Sequence, residues 1–348
     1  MLSSRQEHIL QLLVQLYTET GQPVGSKTLM NSGITVSSAT IRNELSKLED
    51  FGLIQKMHTS SGRIPSMQGY RYYVDHLMDP SKVSSTDVQH IKRLFNRKFN
   101  ATNEIIEWSA NILSELTSYT AFSLGPEVKE RRLTGFQIVP LNARQLMAII
   151  VIDQGYVESQ VFSIPHSVST EDIEKMIRII NDRLLGETLL TVYHKLRTEI
   201  PLVLQRYFSN SSNILYLFED VFNQAFDEQI YVGGGMNLLS SEAITNPNEF
   251  QSVYSLISDT DKLTELLISD TDEKIDIKIG EELNNELLQN MSLVTGSYDV
   301  FQRGKGLVAV LGPANMSYSK LLGVMDVLTD ELSRHLETYY RHLENSGE

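Results

Sequence analysis

A short stretch near the N-terminus carries the side chains best suited to chemistry, and they are hydrogen-bond donors rather than nucleophiles. An arginine can donate two hydrogen bonds to guanine, and an asparagine can pair in the same bidentate way with adenine. Arg42 and Asn43 supply these two types side by side, and Lys47 follows about one helical turn later, where it can meet a phosphate. The hydroxyl groups before them can bind phosphate together with free backbone N–H groups at a helix start. The candidate residues are Ser37, Ser38, Thr40, Arg42, Asn43 and Lys47.

A second polar and cationic group follows, and it is suited to contact with a nucleic-acid backbone. Its small side chains and Gly62 favour a tight hairpin tip, and its cations can neutralise phosphates. Such a hairpin can lie along the backbone or enter the minor groove. Three or four cationic contacts per chain give only moderate affinity, so we expect two chains to bind two half-sites. The candidate residues are Lys56, His58, Thr59, Ser60, Ser61 and Arg63.

Hydrophobic periodicity and turn residues predict the elements that must position these side chains. Ile41, Leu45 and Leu48 follow an i, i+4, i+7 pattern, which gives a helix one buried stripe and leaves its polar face outward. Ser4 and Glu7 have the spacing of a capping box at the start of the first helix. The order helix, helix, helix, hairpin is typical of a winged helix-turn-helix, but it is also a common way to build any small core. The predicted elements are helices over 4–17, 24–30 and from residue 37 or 38 to about 51, then extended pieces at 53–57 and 63–65.

The remaining chain alternates between strand and helix patterns. Short polar or glycine-containing turns separate four segments that predict an antiparallel meander. Further strands follow a mostly helical middle, which indicates one α+β domain with an insertion. The predicted strands are 119–124, 133–140, 146–153, 156–164, 275–279, 292–295 and 307–312, and the predicted helices are 86–116, 171–185, 213–226, 250–269 and 317–341.

Composition and charge narrow the class of protein. The 348 residues are too many for one ordinary core, so we expect two or three domains. The net charge of −14 is unusual for a protein that binds DNA, but residues 1–78 hold seven basic and six acidic side chains, and the acidic excess lies downstream. Because there is no cysteine, disulfides, thiolate metal sites and thiol nucleophiles are excluded. The lack of a signal-peptide core or long apolar stretch predicts a cytoplasmic protein without a membrane segment.

Four motifs in the N-terminal region resemble one family. They are GQPVGSKTL at 21–29, VSSATIRNEL at 36–45, HTSSGRIPS at 58–66 and GYRYYVD at 69–75. In this order and at this spacing they closely resemble HrcA, a family of bacterial heat-inducible transcription repressors. A looser similarity extends to the C-terminus, where DVF at 299–301 and GLVAVLGP at 306–313 also match the family pattern. The resemblance therefore covers nearly the whole chain.

The resemblance implies a multidomain α+β fold. Its parts are a winged helix-turn-helix domain at 1–78, a linker helix at 79–102, a GAF-like antiparallel α+β domain at 103–164 and 270–348, and an inserted, mostly helical dimerisation domain at 165–269. It also implies a dimer that binds an inverted-repeat operator of the CIRCE type and represses heat-shock and chaperone operons. The GroE chaperonin keeps such a repressor competent, and no cofactor or catalytic activity is implied.

Two other classes of function stay open on the sequence. A GAF-like domain often holds a small ligand, so the chain could be a winged-helix repressor of metabolic genes that responds to a small molecule. A structural oligomer is also compatible with the acidic remainder of the chain, and it would be indifferent to the loss of Arg42 or Arg63. An enzyme is disfavoured because adjacent acids such as Glu281 and Glu282 have no nucleophile arrangement around them. Scattered histidines, including His335 on a terminal helix, are better explained by a surface helix than by a metal site.

Overall fold

A computed structural model describes most of the chain and divides it into two compact units. The first unit contains Met1–Leu124, Ile230–Tyr298 and Gly306–Leu336, and the second consists mainly of Gly125–Gln229. The described residues are 2–57, 62–78, 85–126, 132–142, 144–152, 156–163, 170–207, 230–240, 243–244, 246–267, 273–301 and 304–346.

The winged domain, residues 2–78, has the predicted order of helices followed by a hairpin. Helix α1 begins with a capping box, in which Ser3 Oγ accepts the Gln6 N–H and the Gln6 side chain accepts the Ser3 N–H. The cap is thus one residue earlier than the predicted pair of Ser4 and Glu7, since Glu7 accepts a hydrogen bond from the Tyr72 hydroxyl instead. The elements are α1 (Ser4–Thr20), α2 (Ser26–Asn31), α3 (Ser38–Asp50), β1 (Ile54–Lys56), β2 (Arg63–Pro65) and α4 (Met67–Tyr72), which continues as a π-helical turn over Tyr73–Leu77.

The rest of the first unit is a five-stranded sheet with helices on both faces, which we call the sheet domain. The strand order is β7-β3-β10-β9-β8, and β3 pairs antiparallel with both β10 and β7. Phe122 and Leu293 face α9 and α10 in one core, while Ser123 and Gly296 face α6 and α11 on the other side. The elements are α5 (Ser85–Phe95), α6 (Thr102–Thr117), β3 (Thr120–Leu124), β7 (Ile230–Gly233), α9 (Pro247–Ser258), α10 (Thr260–Leu267), β8 (Ile275–Ile279), β9 (Met291–Val300), β10 (Gly304–Pro313) and α11 (Tyr318–Ser346).

The second unit is a three-stranded antiparallel sheet with two helices on one face. Its strand order is β4-β5-β6, and alternate residues such as Phe136 and Ile150 pack against Ile180 and Leu196 of the helices. The elements are β4 (Leu133–Pro140), β5 (Gln145–Ile152), β6 (Tyr156–Ser163), α7 (Thr170–Leu184) and α8 (Leu189–Tyr207).

The structure corrects the predicted strand grouping in one respect. Residues 119–124 were expected to open a single meander with the next three strands. The observed strand β3 belongs instead to the five-stranded sheet, and β4–β6 form a sheet of their own. Residues 230–267, predicted as part of the inserted domain, pack with the sheet domain, whereas 133–163 lie in the second unit. An alternating pattern shows that a strand has two faces, but it does not specify the neighbouring strand. The predicted helix at 213–226 lies outside the described residues.

The multidomain α+β class is confirmed. The helical stretch predicted over 86–116 is divided into α5 and α6, and the segment predicted over 250–269 is divided into α9 and α10. Helix α8 and the short strand β7 were not predicted. Pro201 inside α8 removes a helical hydrogen bond and is normally a helix-breaking signal, so periodicity alone does not favour this helix.

Candidate DNA-binding site

Helix α3 has the division into a buried and an exposed face that a recognition helix requires. Ile41 and Leu48 are fully buried and Leu45 is nearly so. Arg42 and Asn43 lie on the exposed face, and Lys47 is also exposed. These positions follow from the helical period, which separates residues 41, 45 and 48 from residues 42, 43 and 46 around the helix axis. The structure therefore places the candidate base-reading groups on one solvent-facing surface.

The start of α3 is organised by three hydroxyl side chains with different roles. Ser37 is the N-cap, because its Oγ accepts the Thr40 N–H at 3.2 Å and lies 2.9 Å from the Thr40 Oγ1. The Ser38 Oγ instead lies 3.0 Å from the Ser26 Oγ and joins the starts of α2 and α3. Ser37 and Thr40 thus stay at the helix start predicted to bind phosphate, whereas Ser38 contributes to packing between the two helices.

Glu44 is a site residue that the sequence reasoning missed. The Gln6 Nε2 donates to its Oε2 at 3.0 Å, and this hydrogen bond joins α1 to α3 through a buried contact. The Lys47 Nζ lies 3.4 Å from the same carboxylate, and the Arg5 guanidinium lies 4.0 Å from it. Glu44 therefore places two exposed cations beside the reading face. Its position one helical turn after buried Ile41 was the available signal, since a polar residue there faces the core and needs a partner.

The base of the wing holds two cations against a single carboxylate. Lys56 and Arg63 are opposite each other in the β1–β2 register, which brings two like charges together. One carboxylate oxygen of Glu49 in α3 lies 3.2 Å from the Lys56 Nζ. The other accepts a hydrogen bond from the Arg63 Nε at 3.0 Å and lies 2.9 Å from the Arg63 Nη2. The Arg63 side chain is only 14% exposed, whereas that of Lys56 is 61% exposed. The predicted wing residues His58, Thr59, Ser60 and Ser61 lie outside the described residues.

Backbone contacts hold the wing against the loop between α1 and α2. Val24 and Arg63 exchange two backbone hydrogen bonds of 2.8 and 2.9 Å. A Cβ on Gly62 would lie 2.7 Å from the Pro23 Cβ and 2.8 Å from the Pro23 carbonyl atoms, so a side chain does not fit there. These contacts bring the Gly62–Arg63 pair of one motif against the Pro23–Val24 pair of another.

Helix α4 connects the winged domain to the sheet domain. A Cβ on Gly69 would lie 2.0 Å from the Leu53 carbonyl oxygen, so glycine permits α4 to approach the residue just before β1 closely. The Arg71 Nη1 donates to the Ile277 carbonyl at 2.7 Å. The rings of Tyr70 and Tyr318 lie 6.4 Å apart between centroids. Tyr70 is buried, so its ring packs between the two domains.

These elements together define a class of protein. The second helix of the helix-turn-helix presents arginine, asparagine and lysine to solvent, and a hairpin with cations at its base follows. This arrangement is that of a winged-helix DNA-binding regulator. The family model described as "Winged helix-turn-helix transcription repressor, HrcA DNA-binding" matches residues 1–75, and the model described as "HrcA protein C terminal domain" matches residues 103–322. The chain belongs to the HrcA family of heat-inducible transcription repressors, and it is not an enzyme.

Two relatives agree with this membership, and one solved structure shares the fold. The heat-inducible transcription repressor HrcA of Enterococcus faecalis is 54% identical over 99% of this chain and 100% of its own length. The repressor of the same name from Tetragenococcus halophilus is 52% identical over the full length of both chains. A crystal structure titled as a hypothetical protein shares 23% identity and aligns with a TM-score of 0.64 over 97% of this chain and 99% of its own. That likeness shows a shared fold.

The described residues contain neither a membrane-spanning helix nor a metal site. Across the part of the chain that the structure describes, no helix is both long and apolar enough to cross a bilayer. The same residues contain no group of three or more side chains arranged to hold a metal ion. His335, which the sequence attributed to a surface helix, stacks on Phe95 with ring centroids 5.1 Å apart.

Proposed function

We propose that this repressor acts in the cytoplasm as a homodimer, binds an inverted-repeat operator of the CIRCE type and represses heat-shock and chaperone operons. The observation that carries the proposal is the exposed face of α3, where Arg42 and Asn43 lie beside Lys47. In this proposal Arg42 and Asn43 read base edges in the major groove, and Lys47 binds a phosphate. Ser37 and Thr40 bind a second phosphate at the helix start. Ser38 completes the helix start through its contact with Ser26.

The wing extends the same interface along the DNA backbone. Lys56 is more than half exposed and is free to turn from Glu49 towards a phosphate. Arg63 supports the wing through Glu49, and the wing-tip residues, which were proposed from the sequence, contact the backbone or the minor groove. Because each chain supplies only a few such cations, two chains on two half-sites are needed for tight binding.

The second unit supplies a surface suited to dimer formation. Strand register aligns Val139, Met147 and Val161 across the sheet face that points away from α7 and α8, and it aligns Val157 beside Val151. Val157 is 55% exposed and Val161 is 49% exposed. Contiguous apolar residues on a monomer surface typically mark an interface. We therefore assign this face to the contact between two copies of the chain, with a two-fold axis that matches the inverted repeat.

The proposed control by the GroE chaperonin rests on the family resemblance. If competent and incompetent forms differ by only a few kcal/mol, the supply of chaperonin decides the active fraction. During heat stress, unfolded proteins occupy the chaperonin and so lower the active fraction of the repressor. Repression of the chaperone genes is then relieved.

Fluorescence anisotropy tests the proposed function. The purified full chain is titrated onto a labelled CIRCE-type duplex, a scrambled duplex and a single half-site, over a series of salt concentrations, with and without chaperonin. We expect tight, salt-sensitive binding to the inverted repeat, weaker binding to the half-site, and a larger active fraction with chaperonin. Equal weak binding to all three duplexes, with no effect of chaperonin, would reject the proposal.

The dimer surface has its own test. Val161→Asp places a charge on the apolar face, in the edge strand β6, and Leu202→Asp places the same charge at a position of α8 that is 62% exposed. We expect only Val161→Asp to yield monomers in sedimentation and to lose affinity for the full repeat while half-site binding persists. If the Val161→Asp protein stays dimeric, the interface lies on another surface.

A further inference from the structure

Arg71 joins the winged domain to the sheet domain through three partners. It lies in α4, and its Nη1 donates to the Ile277 carbonyl at 2.7 Å and to a Glu282 carboxylate oxygen at 3.1 Å. Its Nη2 lies 2.8 Å from the Asp75 Oδ1, one turn further along the same helical segment. Ile277 is in β8, which is an edge strand of the sheet, and Glu282 is in the short turn that follows β8. One guanidinium therefore holds α4 against the edge of the sheet domain.

The turn that carries Glu282 is itself held in place. The carboxylate oxygen that faces Arg71 also accepts the Ile279 N–H at 2.8 Å, so it is tied to the end of β8. Gly280, which lies between these two residues in sequence, has a left-handed backbone conformation with φ of 59°. A Cβ on Gly280 would lie 3.4 Å from the Met67 Cγ of α4, so the turn closely approaches the start of α4. The turn thus presents Glu282 to Arg71 in a defined position.

The helical segment that carries Arg71 is also tied to α1. The Tyr72 hydroxyl donates to a Glu7 carboxylate oxygen at 3.3 Å. The Gln11 Nε2 donates to the Leu77 carbonyl at 2.9 Å. Helix α1 in turn holds the recognition helix through its buried hydrogen bond to α3. A continuous series of contacts therefore runs from the sheet domain through Arg71, α4 and α1 to the reading face of α3.

The chemistry of the Arg71 contact favours a positioning role over a purely stabilising one. The Arg71 Nε is buried and has no hydrogen-bond partner among the described residues, which destabilises the folded state. The buried rings of Tyr70 and Tyr318 already pack the two domains together beside it. Apolar packing has no preferred direction, whereas a planar guanidinium with three partners fixes one orientation. Arg71 therefore contributes direction to a contact that is already stabilised by apolar packing.

We propose that Arg71 is a positioning residue that fixes the orientation of the winged domain on the sheet domain and thereby sets the half-site spacing that the dimer accepts. The spacing of two half-sites must match the separation of the two recognition helices. A winged domain that is held rigidly accepts one spacing. A winged domain that turns freely accepts several spacings and binds each less tightly, because orienting it then costs entropy. The inference on spacing rests on the proposed binding of an inverted repeat by a dimer, whereas the inference on orientation does not.

Distances between spin labels test the orientation in the absence of DNA. The chain has no cysteine, so Thr28→Cys in α2 and Leu287→Cys in the sheet domain create two unique labelling sites, both at exposed positions. The labelled full chain is mixed with an excess of unlabelled chain, so that distances between copies do not contribute. We expect a narrow distance distribution for the chain with Arg71 and a clearly broader one for Arg71→Ala. Equal widths would overturn the proposal.

Two matched variants separate this contact from a general loss of charge. Glu282→Gln keeps the shape of one partner but removes its charge, and it should broaden the distribution less than Arg71→Ala does. If Arg71→Ala does not fold, an unchanged width in Glu282→Gln overturns the proposal. Lys274→Ala breaks ion pairs with Asp326 and Asp330 inside the sheet domain, and it should keep the narrow distribution. A Lys274→Ala distribution as broad as that of Arg71→Ala would assign the effect to any lost ion pair and overturn the proposal.

Operator binding tests the link to half-site spacing. Fluorescence anisotropy compares a single half-site, the inverted repeat, and repeats whose spacer is lengthened or shortened by a few base pairs. We expect Arg71→Ala to bind the half-site like the unmodified chain, to bind the repeat about tenfold more weakly, and to discriminate less between spacers. An unchanged spacer preference in Arg71→Ala would overturn the role in spacing. If the unmodified chain binds no repeat, the proposed operator is wrong, and the label distances alone decide the role of Arg71.

Discussion

The recognition helix and the base of the wing carry the same types of cation in different electrostatic environments. Arg42 projects from α3 into solvent, and across the described residues it forms no ion pair. Arg63 is largely covered and is held by a hydrogen bond and an ion-pair contact to Glu49. A paired arginine gains less free energy from a phosphate contact than a solvated arginine does. The paired side chain must first give up its carboxylate partner before it can bind the phosphate. Proximity to DNA is therefore not enough to identify a DNA contact.

Residues of α3 have three separate structural roles. Its exposed face carries Arg42 and Asn43 for reading, Glu44 joins it to α1, and Glu49 joins it to the wing. The two carboxylates lie on the flanks of the helix and hold cations on either side of the reading face. Substitutions at the reading face should change sequence preference, whereas substitutions at the flanks should change the position of neighbouring elements.

The largest effect should come from Gly62→Ala, which disturbs the wing without removing a charge. The new Cβ would overlap Pro23, so the wing or the loop must move, at a cost of about 1–3 kcal/mol in the free energy of unfolding. Binding should weaken on all DNA sequences. Gly25→Ala, where no other atom lies within 4 Å of the new Cβ, should change the free energy of unfolding by less than about 1 kcal/mol. Denaturant unfolding of both variants measures these free energies. Equal losses of stability would show that the overlap with Pro23 is not what destabilises Gly62→Ala.

Replacing Arg42 or Asn43 by alanine should remove sequence preference with little effect on stability. Each lost base contact should reduce discrimination by about 1–3 kcal/mol, since a bidentate contact distinguishes one base pair from another. The measurement is the ratio of affinities for operators that differ at one base pair. Arg178→Ala removes an exposed arginine from the second unit and should leave the ratio unchanged. An unchanged ratio in both α3 variants would remove these residues from the reading face.

Arg63→Ala and Glu49→Gln should distinguish support from direct contact at the wing. Both variants break the same ion pair, so each should lose about 1 kcal/mol of stability and bind all DNA sequences more weakly. If Arg63 also contacts phosphate, only Arg63→Ala flattens the salt dependence of binding. If both variants keep the original slope of log K against log salt, Arg63 affects DNA binding only by positioning the wing. Unchanged affinity in both would reject any role for this pair in binding DNA.

The smallest effect should follow Lys56→Ala, because this side chain is mostly solvated. Its ion pair with Glu49 contributes at most about 0.5 kcal/mol of stability. Loss of one phosphate contact should lower the slope of log K against log salt by about 0.9 per chain, and so by nearly two in the proposed dimer. Binding isotherms at several salt concentrations give this slope. A slope equal to that of the unmodified chain would place Lys56 outside the DNA interface.

Local sequence signals determined the elements of the winged domain. Strand β2 has the predicted bounds of residues 63–65, and the buried stripe of α3 is as predicted. These features depend on helical period, alternation and turn residues, all of which act over a few neighbouring positions. The outward direction of Arg42 and Lys47 on α3 also follows from the same local period.

Tertiary structure alone decided which of these groups meet. Glu49 and Arg63 are 14 positions apart, and Gln6 and Glu44 are 38 apart, so no local pattern links the partners. The assignment of β3 to one sheet and β4 to another likewise depends on pairing between distant strands, such as β3 with β7. The residues determine the faces of each helix and strand, but the packing of those faces against distant segments decides which cations stay available to DNA.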